Sequence, residues 1–586
     1  MSYFDDASLA FLPSGAAGKD GKAYSIKPTD GTGDFTFSRG SNLAATRVGP
    51  GPNYYIEKGR ENLLLRSNQF NTTWSNINIT QTSGQTGYDG SSDAWKSSFT
   101  AGATRVFGQS FSQTGVVTIS IYVKAGNHNF VQFVTSTNTT AYVNFDISSS
   151  SAAVGTEGTG VIDSNITSVG NDWYRCSMSF NNSSSGTIYV WMIDSATSSR
   201  ASDVSTDGNI LIQNAQLEIG LAATEVIESG ATTGKAGILE DTPRFDYSGG
   251  ATCPSLLLEP SRTNLVRSEY YGDLSLTRIT LTSNYGISPE GVQNAAAIFN
   301  TTENGRHNLN GAYFAVTSGT SYVNSVFAKA GTITKIKLRL YRGGGTLIGF
   351  NDGDFDLTNG TATGTGAGIE SYGNGWYRCY VVDSPTSSVS NVRFNLELLD
   401  ANGGVGYVGS VTDYIEIYGS DISIGSYPTS YIPNHSGGTI TRAADNLNNL
   451  GISSMLTSSS FTWFLDLNEY IGSDINQGAV FLESSLSSLN IQLRVRADGY
   501  RFYYSNIAGG STYPIAGSTT AHKFCVSYDG NDYRLYVDGN LEATTTSVGD
   551  SGWDFIKNAT AASIPLKQML LFSSKLSDAD CITLTT

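Results

Sequence analysis

From Val117 to Lys124 apolar and polar side chains alternate: Val117, Ile119, Ile121 and Val123 against Thr118, Ser120, Tyr122 and Lys124. Successive side chains of an extended chain point to opposite faces, so a period of two predicts a half-buried β-strand. Ile336, Leu338 and Leu340 between Lys335, Lys337 and Arg339 carry the same signature. Such runs are short, Gly, Ser and Asn separate them, and helical spacing is scarce. That pattern predicts antiparallel β-sandwiches. Further on, Phe524, Val526 and Tyr528 alternate into a core, Asp529-Gly530 opens a loop, and Tyr533, Leu535 and Val537 return, which predicts a hairpin. A second turn at Asp538-Gly539 follows. The final strand leads into a short helix that Ser577 can cap, with Asp578 and Asp580 favourably placed in its first turn.

The hexapeptide Asn-x-Trp-Tyr-Arg-Cys occurs twice, with Trp173 and Trp376 separated by 203 positions. Other blocks recur in the same order. Asn62 and Asn264 differ by 202, the blocks from Tyr122 (YVKAG) and Phe327 (FAKAG) by 205, and those from Ala215 (AQLEIG) and Ser420 (SDISIG) by 205. A near-constant offset over ordered blocks signals two copies of one unit. The hexapeptide is thus a structural signature and not an active-site pair. Alternation sets Trp and Arg on one face of its strand and Tyr and Cys on the other, and Trp173 and Trp376 are expected in core or inter-sheet packing.

Composition narrows the function classes. The 586 residues provide length for about four domains. Charged residues make up 15%, against roughly 25% in an average soluble protein, while Tyr reaches 32. A net charge of −16 repels phosphate backbones and argues against nucleic-acid binding. No run of about 18 apolar residues exists, so no membrane insertion is expected. The acidic start MSYFDDASLAFLPSG lacks the apolar core of a secretion signal. Glycines at a spacing of three in GAAGKDGKA are too few for a collagen helix and read as a flexible anchor loop. Cys176, Cys253, Cys379, Cys525 and Cys581 lie far apart and odd in number, which suggests neither a zinc site nor a disulfide framework. His128, His307, His435 and His522 are isolated from one another. No cofactor is expected; structural calcium is compatible with such sandwiches, but scattered Asp-Gly turns give no specific ligand set.

Glycan cleavage requires two carboxylates about 5–10 Å apart. The nearest approach is Asp466 with Glu469, whose odd spacing puts them on opposite faces of a strand. No Gly-x-Ser-x-Gly elbow, His-Glu-x-x-His or phosphate-binding loop is present. The chain therefore reads as non-enzymatic. For binding, the informative stretch is TIYVWMID beside VRFNLELLD. Matching Ile188, Val190 and Met192 to Val392, Phe394 and Leu396 as the buried face leaves Tyr189, Trp191 and Ile193 outward in one copy and Arg393, Asn395 and Glu397 in the other. An apolar stripe where the sister copy is charged marks a contact surface: first a subunit or domain interface, second a glycan site. The charged stripe is expected to stay wet. Tyr503, Tyr513 and Trp553 fall in turn-rich segments and are further candidates for ligand contact, with core packing as the plainer reading.

The strings TFSRGSNLAATRV (from Thr36), PRFDYSGGATCPSLLLEPSRTNLVRS (from Pro243), NGWYRC and GSYPTSYIPNHSGGTITRAAD (from Gly425) resemble blocks of tailed-bacteriophage tail-fibre and head-fibre (decoration) proteins. The first copy, with IGLAATEVIES, lacks the Pro-Thr-Ser-Tyr-Ile-Pro ending. HKFCVSYDGNDYRLYVDGN and LLFSSKLSDADCITL are similar to laminin-G or concanavalin-like domains. The resemblance implies an all-β chain: a virion-attachment segment (1–60), a carbohydrate-binding-module-like jelly roll (61–235), a linker and second jelly roll (236–446), and a laminin-G/concanavalin-like β-sandwich (447–586). It implies a virion protein that attaches to other virion proteins through its N-terminal segment and meets a host-surface glycan or receptor. Alternatives are pure decoration and a depolymerase tailspike. A homo-oligomer, such as a trimer, is expected to form through sandwich faces or the N-terminal segment, since no heptads are evident.

Overall fold

The computed structural model describes residues 3–13, 18–19, 21–41, 45–48, 55–247, 253–342, 351–449, 451–456, 459–468, 472–473, 478–483, 490–496, 499–505, 511–514, 522–546, 553–558 and 562–586. The fold is all-β, built of three sandwiches. In the first copy one antiparallel sheet runs, in spatial order, Val161–Gly170, Trp173–Asn182, Gly115–Ala125, Gly208–Ile219, Ala94–Phe99, Thr80–Gln85. The facing sheet runs Ala153–Glu157, Tyr142–Asp146, Phe130–Thr135, Gly186–Met192, Val106–Phe111, Ser75–Ile77. The second copy repeats both orders: Ala367–Ser371, Trp376–Asp383, Tyr322–Ala330, Tyr414–Ile424, Gln293–Asn300, Ile279–Ile287, and Thr361–Thr363, Asp352–Asp356, Lys335–Arg342, Val389–Leu398, His307–Val316, Ser275–Thr277. Trp173 pairs with Lys124 and Trp376 with Lys329, so the two hexapeptides occupy equivalent strands in equivalent register.

The Gly115–Ala125 strand is buried on both faces, not half-buried as its alternation suggests. Val117, Ile119, Ile121 and Val123 face the inter-sheet core, while Thr118 and Ser120 are covered from outside. The cover is the segment after the Gly208–Ile219 strand. Thr118 Oγ1 donates to Gly220 O (2.8 Å), and Arg175 bonds Ser120 Oγ (2.9 Å) and Ala223 O (3.3 Å). Arg378 repeats this with Ser325 Oγ (3.2 Å) and Thr429 O (2.5 Å). The Arg of the hexapeptide therefore pins the covering segment onto its sheet. Trp173 and Trp376 lie beneath that cover, on the outer side of the sheet, while Cys176 and Cys379 point into the core. The first copy keeps the covering segment despite its different ending. Asn62 Nδ2 donates to Ala215 O and Ile227 O, as Asn264 Nδ2 does to Ser420 O and Ile432 O.

The third sandwich is not confined to residues 447–586, and residues 3–38 are not a separate segment. Leu9–Phe11 and Ser255–Leu258 pair with Ala562–Phe572, and Phe35–Ser38 pairs with Asn446–Asn449. Gly18–Lys19 and Lys22–Ala23 form a small hairpin on the same sheet, where an anchor loop was expected. Leu9, Phe11, Phe35, Phe37, Leu256 and Leu258 join Trp463, Phe524 and Leu571 in one core. Each jelly roll is thus an insertion into this base. The expected hairpin pairs His522–Tyr528 with Asp532–Val537, and Ser577 caps the Asp578–Thr585 helix by accepting from Asp580 N (3.2 Å).

Buried ions fasten the insertions to the base. Arg39, Arg244 and Arg442 meet Glu259 and Asp445, all with side chains at most 2% exposed. Arg39 lies 3.2 Å from Asp445, and Arg244 and Arg442 lie 2.8 and 2.7 Å from Glu259. A second cluster joins the Tyr55–Lys58 strand to the second jelly roll: Lys58 Nζ contacts Glu269 (2.6 Å), Glu290 and Tyr418 Oη (3.3 Å).

Candidate functional site

The outer face of the Gly186–Met192 sheet carries the groove closest to the predicted stripe. Register sets Thr187 opposite Ser110, Tyr189 opposite Gly108 and Val134, and Trp191 opposite Val106 and Gln132. A Cβ at residue 108 would lie 2.5 Å from Tyr189 Cδ1, so the tyrosine ring rests on the bare backbone of Gly108. Beside it opens a groove of about 310 Å³, lined by Leu65, Tyr189 and the hydroxyl-bearing residues Thr73, Ser75, Ser110 and Thr187. Ser110 Oγ and Thr187 Oγ1 lie 3.1 Å apart, and Gln109 fixes the wall by bonding both N (2.6 Å) and O (2.8 Å) of Leu65. An aromatic face beside several hydroxyls suits a ligand that is apolar on its ring faces and polar at its edges. Among the described residues, no carboxylate lines the groove.

The rest of the stripe is placed differently from the expectation. Trp191 is half-buried, and part of its cover comes from its own chain. Its Nε1 donates to Ser202 O (3.0 Å), and the 194–204 loop crosses the sheet on bonds from Gln132 to Ser199 O (3.1 Å) and from Asn144 to Ser198 O (2.7 Å). Ile193 is fully buried, because the strand ends at Met192 and alternation stops there. Tyr189 and Trp191 are both half-buried, and of the three only Tyr189 lines the groove.

The sister face differs in two ways from its sequence reading. Gln132 and Lys337 stand at the same distance from the shared Lys-Ala-Gly, and they oppose Trp191 and Glu397. The true counterparts of Tyr189 and Trp191 are therefore Asn395 and Glu397, two residues from the sequence pairing; the face is kept because the slip is even. Asn395 and Glu397 are also not wet, at 2% and 0% exposure. Arg339 covers them, donating from Nε to Asn395 Oδ1 (2.9 Å) and from Nη2 to Glu397 Oε2 (2.9 Å), and Arg306 Nε reaches Glu397 Oε1 (2.6 Å). Sequence alternation gave the face, but it could not show that long cations on neighbouring strands close over it.

In the base, Trp553 is 4% exposed and packs edge-on against Phe461 (5.8 Å), which makes it a core residue and not a ligand contact. Tyr503 opposes Thr512 and Gln492, and Tyr513 opposes Phe502; their side chains lie outside the described residues. Asp466 sits on the Phe461–Leu467 strand, where burial raises its carboxyl, and Glu469 lies outside the described residues. Among the described residues, no group of three or more His, Cys, Asp or Glu is placed to hold a metal, and no helix is long and apolar enough to cross a membrane.

No family model and no curated protein matches the chain. Solved structures give partial likenesses. The CBM40 domain of a Ruminococcus gnavus IT-sialidase, bound to α2,3-sialyllactose, is 16% identical over 22% of this chain and 83% of that one, with a TM-score of 0.18. Mouse laminin α1 domains LG4-5 are 13% identical over 45% and 89%, with a TM-score of 0.16. The LG1-3 region of the laminin α2 chain is 11% identical over 82% and 97%, with a TM-score of 0.14. At such scores the architecture rests on the sheet orders themselves: an all-β chain of two jelly-roll sandwiches inserted into a third sandwich.

Proposed function

We propose that this chain is a non-enzymatic glycan-binding protein, and that the Tyr189 groove is a sugar subsite. The supporting observation is the tyrosine ring laid on Gly108 at the edge of a groove lined by serine and threonine residues, with no carboxylate among the described lining residues. The resemblance of its sequence strings to those of fibre and decoration proteins supports the finer reading: a tailed-bacteriophage virion protein that meets the host surface. A single groove of this size holds one or two sugar rings, so affinity per site is weak, and display in many copies raises it by local concentration.

The test is binding of the full chain, free and displayed on beads, to purified host-surface polysaccharides. Tyr189→Ala is expected to weaken binding about tenfold, which is about 1.4 kcal/mol, with an unchanged melting temperature and no oligosaccharide release. Beads that ignore every polysaccharide would leave pure decoration as the function. Release of shortened sugar would restore the depolymerase.

A further inference from the structure

The sister sheet carries a second feature that the groove does not explain. Three cross-strand rows of its outer face read Asn308–Glu397–Lys337–Asp354, Asn310–Asn395–Arg339–Asp352 and Tyr313–Arg393–Tyr341. In the first two rows every cation has an acid. Lys337 lies 2.9 Å from Asp354, Arg339 lies 2.9 Å from Glu397 and 3.5 Å from Asp352, and Arg306 closes on Glu397 from the side. Arg393 is different. Its guanidinium carbon lies 5.3 Å from the Tyr313 ring centre and 5.5 Å from that of Tyr341. Its partners are therefore two rings, and it forms no ion pair among the described residues. Its Nε is enclosed yet has no hydrogen-bond acceptor.

The backbone builds the same spot. Between Asn310 and Tyr313 the pairing with Val389–Leu398 shifts register, an irregularity that re-aims the following side chain. Tyr313 follows it, is 55% exposed, and stands directly opposite Arg393. The result is an arginine held by aromatic faces, with unused donors and a flat, open ring beside it. A guanidinium fork matches a carboxylate with two parallel hydrogen bonds, which an ammonium cannot do. The exposed ring offers a stacking face to a sugar, and Asp352 and Asp354, with side chains 33% and 42% exposed, stand within the same face as acceptors for sugar hydroxyls.

We infer that the Tyr313–Arg393–Tyr341 row is a binding site for a carboxylate-bearing sugar, such as a uronic or sialic acid residue of an acidic polysaccharide. This rests on the glycan-binding reading and extends it to a second site and a ligand class. An acidic peptide shares the carboxylate, but it lacks the edge hydroxyls that the flanking aspartates would accept.

The experiment compares the full chain against uronic- and sialic-acid oligosaccharides, their carboxyl-reduced counterparts, and a poly-glutamate peptide. The wild type is expected to prefer at least one carboxylated oligosaccharide at least tenfold over its reduced form and over the peptide. Arg393→Gln should erase that preference, Arg393→Lys should restore only part of it, and Tyr189→Ala should leave it intact, all with unchanged melting temperature. Equal binding of acidic and reduced sugars, a preference for the peptide, or an unaffected Arg393→Gln variant would overturn the assignment. Neutral-sugar binding lost with Tyr189→Ala, without any acid preference, would sink this site and keep the groove. An acid preference with no role for Tyr189 would do the reverse, and failure of every sugar to bind would sink both.

Discussion

At the scale of single residues, the sequence marks the positions that matter but not their work. The arginines Arg39, Arg244 and Arg442 and the acids Glu259 and Asp445 lie in three separate sequence strings, yet they are spread over four hundred residues, one or two of these charges to a string. Nothing in any one string reveals that they meet. The tyrosine beside the groove was legible by alternation, whereas the burial of Ile193 and the partial cover of Trp191 depend on where a strand stops and where a loop turns. Asp383 illustrates a charge that the fold disfavours. Burial, with a smaller push from Asp352, raises its carboxyl from the usual 3.8 to about 7, although it accepts the Asn351 amide. A raised acid is favoured protonated in the fold, so its contribution to stability is full below pH 3.8 and is lost as pH rises through about 7. Asp383→Asn keeps an acceptor without the charge. Its stability gain over wild type, followed by urea unfolding, is expected to be near zero at pH 4, to grow through pH 7 and then to level off. A pH-independent difference would mean that water reaches the carboxylate.

At the scale of elements, the duplication was readable because blocks recur at a constant offset, and it survives even where the residues diverge. The loop between the Thr80–Gln85 and Ala94–Phe99 strands shows how far divergence goes. In the first jelly roll the Gln213 amide nitrogen lies 2.7 Å from Asp93 and 3.2 Å from Ser91 Oγ. At the equivalent place in the second, Tyr418 stands with Glu269 and Glu290, and Lys58 from outside the repeat fills the space. One copy closes its polar pocket with its own amide, and the other borrows an ammonium. Burial alone would push Glu269 up, but His435, Lys58 and the Tyr431 hydroxyl hold it down at about 2. Lys58→Met leaves these acids enclosed without their nearest cation and should destabilise the chain by about 3–5 kcal/mol. Adding Glu290→Gln should recover part of that loss, as a double-mutant cycle in denaturant would show. Additive effects of the two changes would mean that Lys58 and Glu290 do not act as a pair.

At the scale of the whole molecule, the sequence suggested four successive pieces, whereas the base sandwich is assembled from three stretches separated by the jelly rolls. The reason is physical. Leu9–Phe11 and Ser255–Leu258 are only three and four residues long, too short for a period to register, and their partners lie hundreds of positions away. The 447–586 fragment lacks core residues such as Phe11, Phe35 and Leu256 and is expected to be unfolded or aggregated when expressed alone. Replacing 61–235 and 263–441 with two-residue turns should instead give a cooperatively folding sandwich, because Arg60 already pairs with Ala236 and Arg262 with Arg442. Circular dichroism and thermal melts of the two products decide it; a well-folded 447–586 fragment would show the added strands to be dispensable. Those paired exits also bear on mechanics. Each jelly roll leaves the base through two neighbouring strands, so a pull on a jelly roll is carried down two covalent tethers at once. A protease nick in one of them leaves the module leashed by the other, and a pull must unfold the interlocked base before the two modules part.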